Sequence, residues 1–518
     1  MFKGFTYAAR ISAFVIQYSW ILELVALVGG QCLFGNSLTQ SSSVNVANVT
    51  NERSGRIQIR RGASRGISGS VGLGNFVDLM YTVPIHLGQK TFALQLDTGS
   101  SDLWVLSNDC QKNSCERANA TRYTSSSSVS TGIDVDMHYG DSSTSAYAFG
   151  TVAFDTATVA GVTMVDQAFA LIDDTTNHIL ESSADVSGIL GLSFPTASRI
   201  QEEVSAKTGA LVQTDNFLEA TSTSGPLLSR LAASGALQHP MFTIESQRTA
   251  IDISGRGVLT VGKLPEEIDN STLTWVPVRL YTPEEGGLIA PSFAPGEIYP
   301  YRWEIDIDGV FLDGKKLLDS TISAEGVDSH RVSALIDTGN SVLRGPEDVV
   351  TNILRSVSST YDSTAEYPVA GLPCHVPHSL AFQIGGKMFP IDPRDFVSQL
   401  NPDNAVACQA DNLVPTDPPS IGALFRWSLG TPFFRSNIVA FHFGNLTHPS
   451  MDPPRIGFLS TVPDNADELL QGAIRKAQLN GGNFPNAVEP APTASSALKP
   501  QTTVFTGTEY FEAQAIIW

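Results

Sequence analysis

Leu96-Asp97-Thr98-Gly99-Ser100-Ser101 recurs 240 positions later as Ile336-Asp337-Thr338-Gly339-Asn340-Ser341. Each aspartate closes a mostly apolar run, Phe92 to Leu96 and Val332 to Ile336. Each therefore reads as a carboxylate carried at the end of a buried strand into a tight turn. One such tripeptide is an ordinary strand-ending turn, whereas two with matching flanks place two carboxylates on equivalent loops. Carboxylates delivered in this way can share one proton.

From Asn75 onward, short runs rich in Val, Ile, Phe and Thr alternate with Gly, Asp, Asn and Ser turns, and long helical periods are few. That pattern predicts an all-β body. Val258 to Gly262 and Arg455 to Leu459 each follow one copy of the motif, which predicts two related lobes, 75–264 and 265–462, joined near Pro265 to Thr272. Beyond Pro463, the spacing of Glu468, Leu469, Leu470, Ala473, Ile474 and Ala477 predicts one short helix. The Pro, Ala and Ser-rich stretch 486–500 makes the rest of the tail, to 518, an expected region of disorder. Gly257 to Lys263 has phosphate-loop spacing, but Leu264 stands where a magnesium-holding Ser or Thr is needed and Pro265 follows, so it reads as strand and turn.

The 518 residues carry a net charge of −20, unevenly. Residues 1–61 hold six basic against two acidic side chains, which leaves −24 for the remainder. Such a body repels phosphate backbones, so no nucleic-acid partner is expected, and its self-repulsion fades in acid as carboxylates take protons. Of five cysteines, Cys110 and Cys115 would close a short loop and Cys374 and Cys408 one of 34 residues, while Cys32 falls in a segment expected to be removed. The histidines form no His-Glu-x-x-His and the cysteines no Cys-x-x-Cys, so neither metal nor cofactor is expected.

Lys3 and Arg10 precede an apolar stretch from Ile11 to Gly30, which reads as a secretory signal over 1–30. A retained membrane anchor is the alternative, disfavoured by Glu23 in mid-span. Residues 31–61, rich in Ser, Asn and Thr and ending in Arg60-Arg61, read as a propeptide, and 62–74 as a Gly/Ser spacer. Asn48, Asn119, Asn270 and Asn445 begin Asn-x-Ser/Thr glycosylation sequons. A secreted protein is the expectation, with a vacuolar or membrane-held place in the secretory pathway as the alternative.

Hydrolysis of a peptide by water needs a base for the water proton, an acid for the carbonyl oxygen, and both roles in one site. A close carboxylate pair supplies them, because like charges a few ångströms apart cannot both ionise easily and the pair titrates as a unit. Gly99 and Gly339 lack a Cβ and let the loops approach. Ser100 can donate to Asp97, Asn340 stands in the corresponding place with an amide that can donate, and Thr98 and Thr338 can each bond across to the opposite loop.

These residues carry a specific resemblance. Asp97 to Val105, Asp-Thr-Gly-Ser-Ser-Asp-Leu-Trp-Val, resembles the first active-site motif of the pepsin-family aspartic endopeptidases, and Asp337 to Pro346 the second. Tyr139-Gly140-Asp141-Ser142 sits where that family has its flap hairpin, and Gly188 to Leu192 and Leu429 to Phe434 are further family-like segments. The resemblance spans about Asn75 to Val462 and implies a bilobal β fold with an active-site cleft between the lobes. It implies catalytic Asp97 and Asp337, a Tyr139 that closes over protein or peptide substrates with its hydroxyl braced by Trp104, and disulfides Cys110–Cys115 and Cys374–Cys408. A monomer made as a zymogen is expected.

The chain also departs from the pattern: Asn340 replaces Thr or Ser, Arg344 adds a cation past the second motif, Ser187 replaces an aspartate before Gly188, and no lysine lies between Lys3 and Lys90 to block the dyad. The expectation is an endopeptidase active in acid. The alternatives are a pepsin-like fold that binds peptides or proteins without cutting them, and a membrane-held processing protease.

Overall fold

Two copies of one strand arrangement hold the Asp-Thr-Gly loops. In the first, Lys90–Asp97 runs parallel to Gly188–Gly191, with Leu96 opposite Leu190, and Leu103–Leu106 returns antiparallel on the same middle strand. In the second, Ser333–Ile336 runs parallel to Trp427–Leu429, with Ile336 opposite Leu429, and Leu343–Gly345 returns antiparallel. Each loop is thus gripped between two strands that share a partner. The four residues of Gly188–Gly191 are all buried, as are the last four of Lys90–Asp97. Strands covered on both faces read as continuous rather than alternating apolar runs, which is why each aspartate follows one.

The computed structural model describes residues 66–493 and 504–505, apart from 125–127, 141–144, 178–179, 181–184, 208, 210–213, 324–330 and 421. The expected signal, propeptide, Arg60-Arg61, Cys32 and Asn48 lie outside the described residues. A ten-stranded sheet contains the first loop and a five-stranded sheet the second, so the body is all-β and two-lobed. A six-stranded sheet joins the halves: Met241–Glu245 pairs antiparallel with Asn437–His442, and Phe242 lies opposite Phe441 with the rings stacked at 4.7 Å. Residues 265–272 cross between two strands of this same sheet, Val258–Val261 and Thr274–Pro277. The fully buried Trp303 packs between the lobes, 4.3 Å from the Phe194 ring and 5.0 Å from that of Phe441, and donates its indole N–H to Leu192 O. Val258–Val261, the phosphate-loop look-alike, is an ordinary strand of the six-stranded sheet.

Two segments differ from expectation. The 62–74 spacer contains a strand, Gly69–Gly72, paired with Val258–Val261 at the sheet edge. Its glycines read as flexible, yet a Cβ on Gly69 would run into the carbonyl oxygen of Ala160, so the residue is there for close backbone approach. The tail forms the expected helix, Ala466–Leu479, which buries Leu470, Ala473, Ile474 and Ala477. Beyond it the chain does not lose order at 486: Ala487 N–H donates to Thr249 O, and Val488–Glu489 adds a strand to Gly74–Phe76. Composition measures the capacity to build a core, and an edge strand needs only backbone partners.

Beneath the cleft, the halves are joined by buried charge. Asp395 Oδ1 accepts from Arg248 Nε at 2.8 Å and from Arg435 Nε at 2.7 Å. Arg435 Nη1 also reaches Asp78 O at 2.6 Å, while the Asp78 carboxylate accepts the N–H groups of Thr249 and Ala250. Burial alone would raise the pKa of Asp395, but the Arg248 and Arg435 guanidiniums overcome it and hold the carboxyl at about 2. Removing one member of such a cluster strands the others without a counter-charge. Arg435→Met is expected to cost about 3–5 kcal/mol in urea unfolding. Because Asp395 sits below its ordinary 3.8, its contribution is complete above that value and is lost as pH falls from about 4 through 2.

Candidate active site

Asp97 and Asp337 end their strands at the seam of the lobes, and the threonines that follow them lock the loops together. Thr98 Oγ1 donates to Ile336 O at 2.7 Å and accepts from Thr338 N–H at 3.0 Å. Thr338 Oγ1 donates to Leu96 O at 2.7 Å and accepts from Thr98 N–H at 3.0 Å. All four groups are buried, so each bond also meets an otherwise unsatisfied donor or acceptor. A Cβ on Gly99 would sit 2.7 Å from Cγ of Asp337, and one on Gly339 2.8 Å from Cγ of Asp97. The missing side chains leave the space each opposing carboxylate occupies.

The surroundings of the two carboxylates are unequal. Asp97 accepts the Gly99 N–H at 2.8 Å and the Ser100 hydroxyl. Asp337 accepts the Gly339 N–H at 2.9 Å. Asn340 was expected to support Asp337 as Ser100 supports Asp97, but its amide nitrogen donates instead to Ser428 Oγ at 2.9 Å, and its oxygen accepts from Val342 N–H. The side chain is long enough to reach the neighbouring strand, and there it braces the loop from outside.

Burial first, and then the negative Asp97, push Asp337 up to about 8. Burial raises Asp97 as well, but the Ser100 and Gly99 donors oppose it. One proton therefore resides on Asp337, hydrogen-bonded to Asp97 as the carboxylate.

Tyr139 closes the strand Val129–Tyr139, opposite Ala146 of the returning strand, and Gly140 takes φ 85° to start the turn. Trp104 Nε1 donates to Tyr139 Oη at 2.9 Å, the brace implied by resemblance. Burial, with Asp102 and Asp97 nearby, keeps the Tyr139 hydroxyl protonated well above its ordinary value. Asp141 lies outside the described residues. Cys110–Cys115 and Cys374–Cys408 are both bridged. Asn119 and Asn270 are exposed, bonded to Asp185 and Trp275, and the half-buried Asn445 caps the turn at Thr447 and His448.

Two further residues belong to the site, Asp102 from within the first motif and Arg302 from outside both. Asp102 is buried beside Tyr139, accepts from Ser198 Oγ and from Arg199 N–H at 2.8 Å, and is pushed by burial to about 6. Arg302 neighbours Asp337, where its charge lowers the carboxyl against burial and Asp97. Asp102 stood in the quoted motif without an assigned role, and Arg302 was not legible in sequence because it meets Asp337 only in the fold.

Two opposed carboxylates in a cross-braced, buried seam define an aspartic dyad on a two-lobed β fold. A family model for eukaryotic aspartyl proteases matches residues 80–448. Chymosin of Ovis aries is 25% identical over 382 residues, 73% of this chain and 81% of the relative. Pepsin A of Sus scrofa is 26% identical over 438 residues, 82% and 97% respectively. The chain belongs to the eukaryotic aspartyl protease family.

The raised carboxyls set a pH dependence of stability. Asp337 and Asp102 lie above their ordinary 3.8, so the folded state holds protons the unfolded chain has released. Their contribution is complete below that value and is lost as pH rises toward about 6 for Asp102 and about 8 for Asp337. Calorimetry is expected to show Tm falling between pH 4 and 7.5, with a shallower fall up to pH 6 in Asp102→Asn.

Proposed function

We propose that the protein is an aspartic-type endopeptidase that cuts peptide bonds in acid. The observation that carries this is the buried carboxylate pair held across the seam by the reciprocal Thr98 and Thr338 bonds. Asp97, as carboxylate, takes a proton from a water while that water's oxygen attacks the peptide carbon, and the Asp337 proton passes to the carbonyl oxygen. The tetrahedral diol then collapses. One hydroxyl proton returns to the dyad, a proton goes to the leaving nitrogen, the C–N bond breaks, and the pair is left with a single proton.

Burial sets which carboxyl begins protonated, and Ser100 holds the charge on Asp97. An extended substrate strand would lie beneath Tyr139, its main chain bonded to the flap. The altered second motif around Asn340 and Arg344 is the feature that favours a binding module without cutting. The Asn340 amide, turned to Ser428, does not draw Asp337 toward ionisation, which suits the acid form the reaction begins from. Residues 1–30 are proposed as a secretory signal and 31–61 as a propeptide released near Arg61, which N-terminal sequencing of the mature protein would locate.

Purified protein, incubated in acid to complete processing, is expected to cleave a denatured protein and to be blocked by a statine-type inhibitor. Asp97→Asn and Asp337→Asn should each lower kcat/KM by about 10³-fold or more. Equal inertness of wild type and variants across the acid range would sink the enzyme reading, and equal activity would reveal a contaminant. Ser100→Ala removes the donor that favours ionised Asp97, so the acid limb of the kcat/KM profile should move to higher pH.

A further inference from the structure

Arg302 stands beside Asp337 at the end of an antiparallel ladder. Glu304 pairs with Leu335, and Trp303 O accepts the Ile336 N–H at 3.0 Å. Arg302 lies one residue beyond Trp303, as Asp337 lies one beyond Ile336, in a bend closed by Glu304 N–H donating to Arg302 O at 2.8 Å. Its charge acts on the Asp337 carboxyl, so the dyad has a cation beside Asp337.

The guanidinium is stacked and, among the described residues, has no ion-pair partner. Its carbon lies 4.9 Å over the Tyr301 ring and 5.6 Å over that of Phe425, and its Nε is buried without a hydrogen-bond partner among them. Glu304, which opens the strand after the bend, is already held by Arg279 at 3.0 Å and by the hydroxyls of Tyr281 and Ser333. The other titratable groups facing Arg302 are Tyr281, Tyr301, and Asp337 with its partner Asp97. The dyad's one negative charge is delocalised over two carboxyls and engaged by Ser100 and Gly99. A stacked guanidinium with free donors is built to take a carboxylate in a planar fork. On a chain with a net charge of −20, acidic substrates are otherwise repelled.

We infer that Arg302 is a specificity-determining residue that receives an acidic side chain of the substrate next to the scissile bond, on the Asp337 side of the dyad. This rests on the endopeptidase reading. It adds a side-chain preference to the main-chain binding of an extended substrate. Because the substrate's own carboxyl must be ionised, the preference grows as pH rises through about 4.3, the ordinary glutamate value.

Peptide pairs carrying Glu or Gln in each position flanking the scissile bond test it. At one position the Glu/Gln ratio of kcat/KM is expected to be about five- to tenfold at pH 5.5, falling toward one at pH 3. Arg302→Met, which keeps an unbranched apolar stem without the charge, should bring that ratio to about one at every pH, and Arg302→Lys should restore part of it. No Glu preference at any position, or a preference that survives Arg302→Met, overturns the inference. So does an Arg302→Met profile shifted in pH alike for both peptides, since Arg302 would then only tune the dyad. Calorimetric Kd values for statine peptides with Glu or Gln at that position separate this from the parent reading. Tighter binding of the Glu peptide, lost in Arg302→Met, upholds Arg302 even in a protein that cuts nothing, whereas equal binding overturns it.

Discussion

Two carboxylates must be held within hydrogen-bonding reach in a buried seam while their repulsion drives them apart, and the rest of the molecule answers that constraint. Burial and mutual charge leave one proton on Asp337, and the reciprocal Thr98 and Thr338 bonds resist the separation. These bonds run from side chain to the opposite backbone, so the loops cannot part without orphaning buried groups on both sides. Strand pairing carries the constraint outward, because each aspartate continues a strand whose partner is shared with the returning one.

The duplication is nearly symmetric in backbone and asymmetric in chemistry. Ser100 donates to its aspartate, whereas Asn340 turns to Ser428. Arg302 puts a cation beside Asp337. A pair that must hold one proton gains from unlike surroundings, since identical ones would leave the two microstates equal in energy.

The buried charges divide according to acid. Asp395, between two guanidiniums, remains ionised down to about 2, so the joint beneath the cleft persists where most surface carboxylates are neutral. Asp102 and Asp337 behave in the opposite sense and keep their protons well above the ordinary carboxylate range. Stability and the chemistry proposed for the dyad therefore favour the same conditions. The surplus of negative surface charge adds to this, because its self-repulsion is relieved in acid.

Much of this was legible in the chain. The repeated Asp-Thr-Gly, the apolar run before each copy, the glycines at the point of approach and the short apolar runs between turns define the β class and the dyad, because strand burial and turn chemistry act on residues adjacent in sequence. The Gly69–Gly72 strand and the ordered tail were missed for one reason: their stability comes from the edges they join, not from their own composition. Asn340 was misread because the direction of its amide depends on Ser428, 88 positions away. Sequence by itself determined that two carboxylates end two buried strands. Tertiary structure alone decided which one keeps the proton and that Arg302 lies beside it, because burial and charge proximity arise only between segments the chain holds far apart.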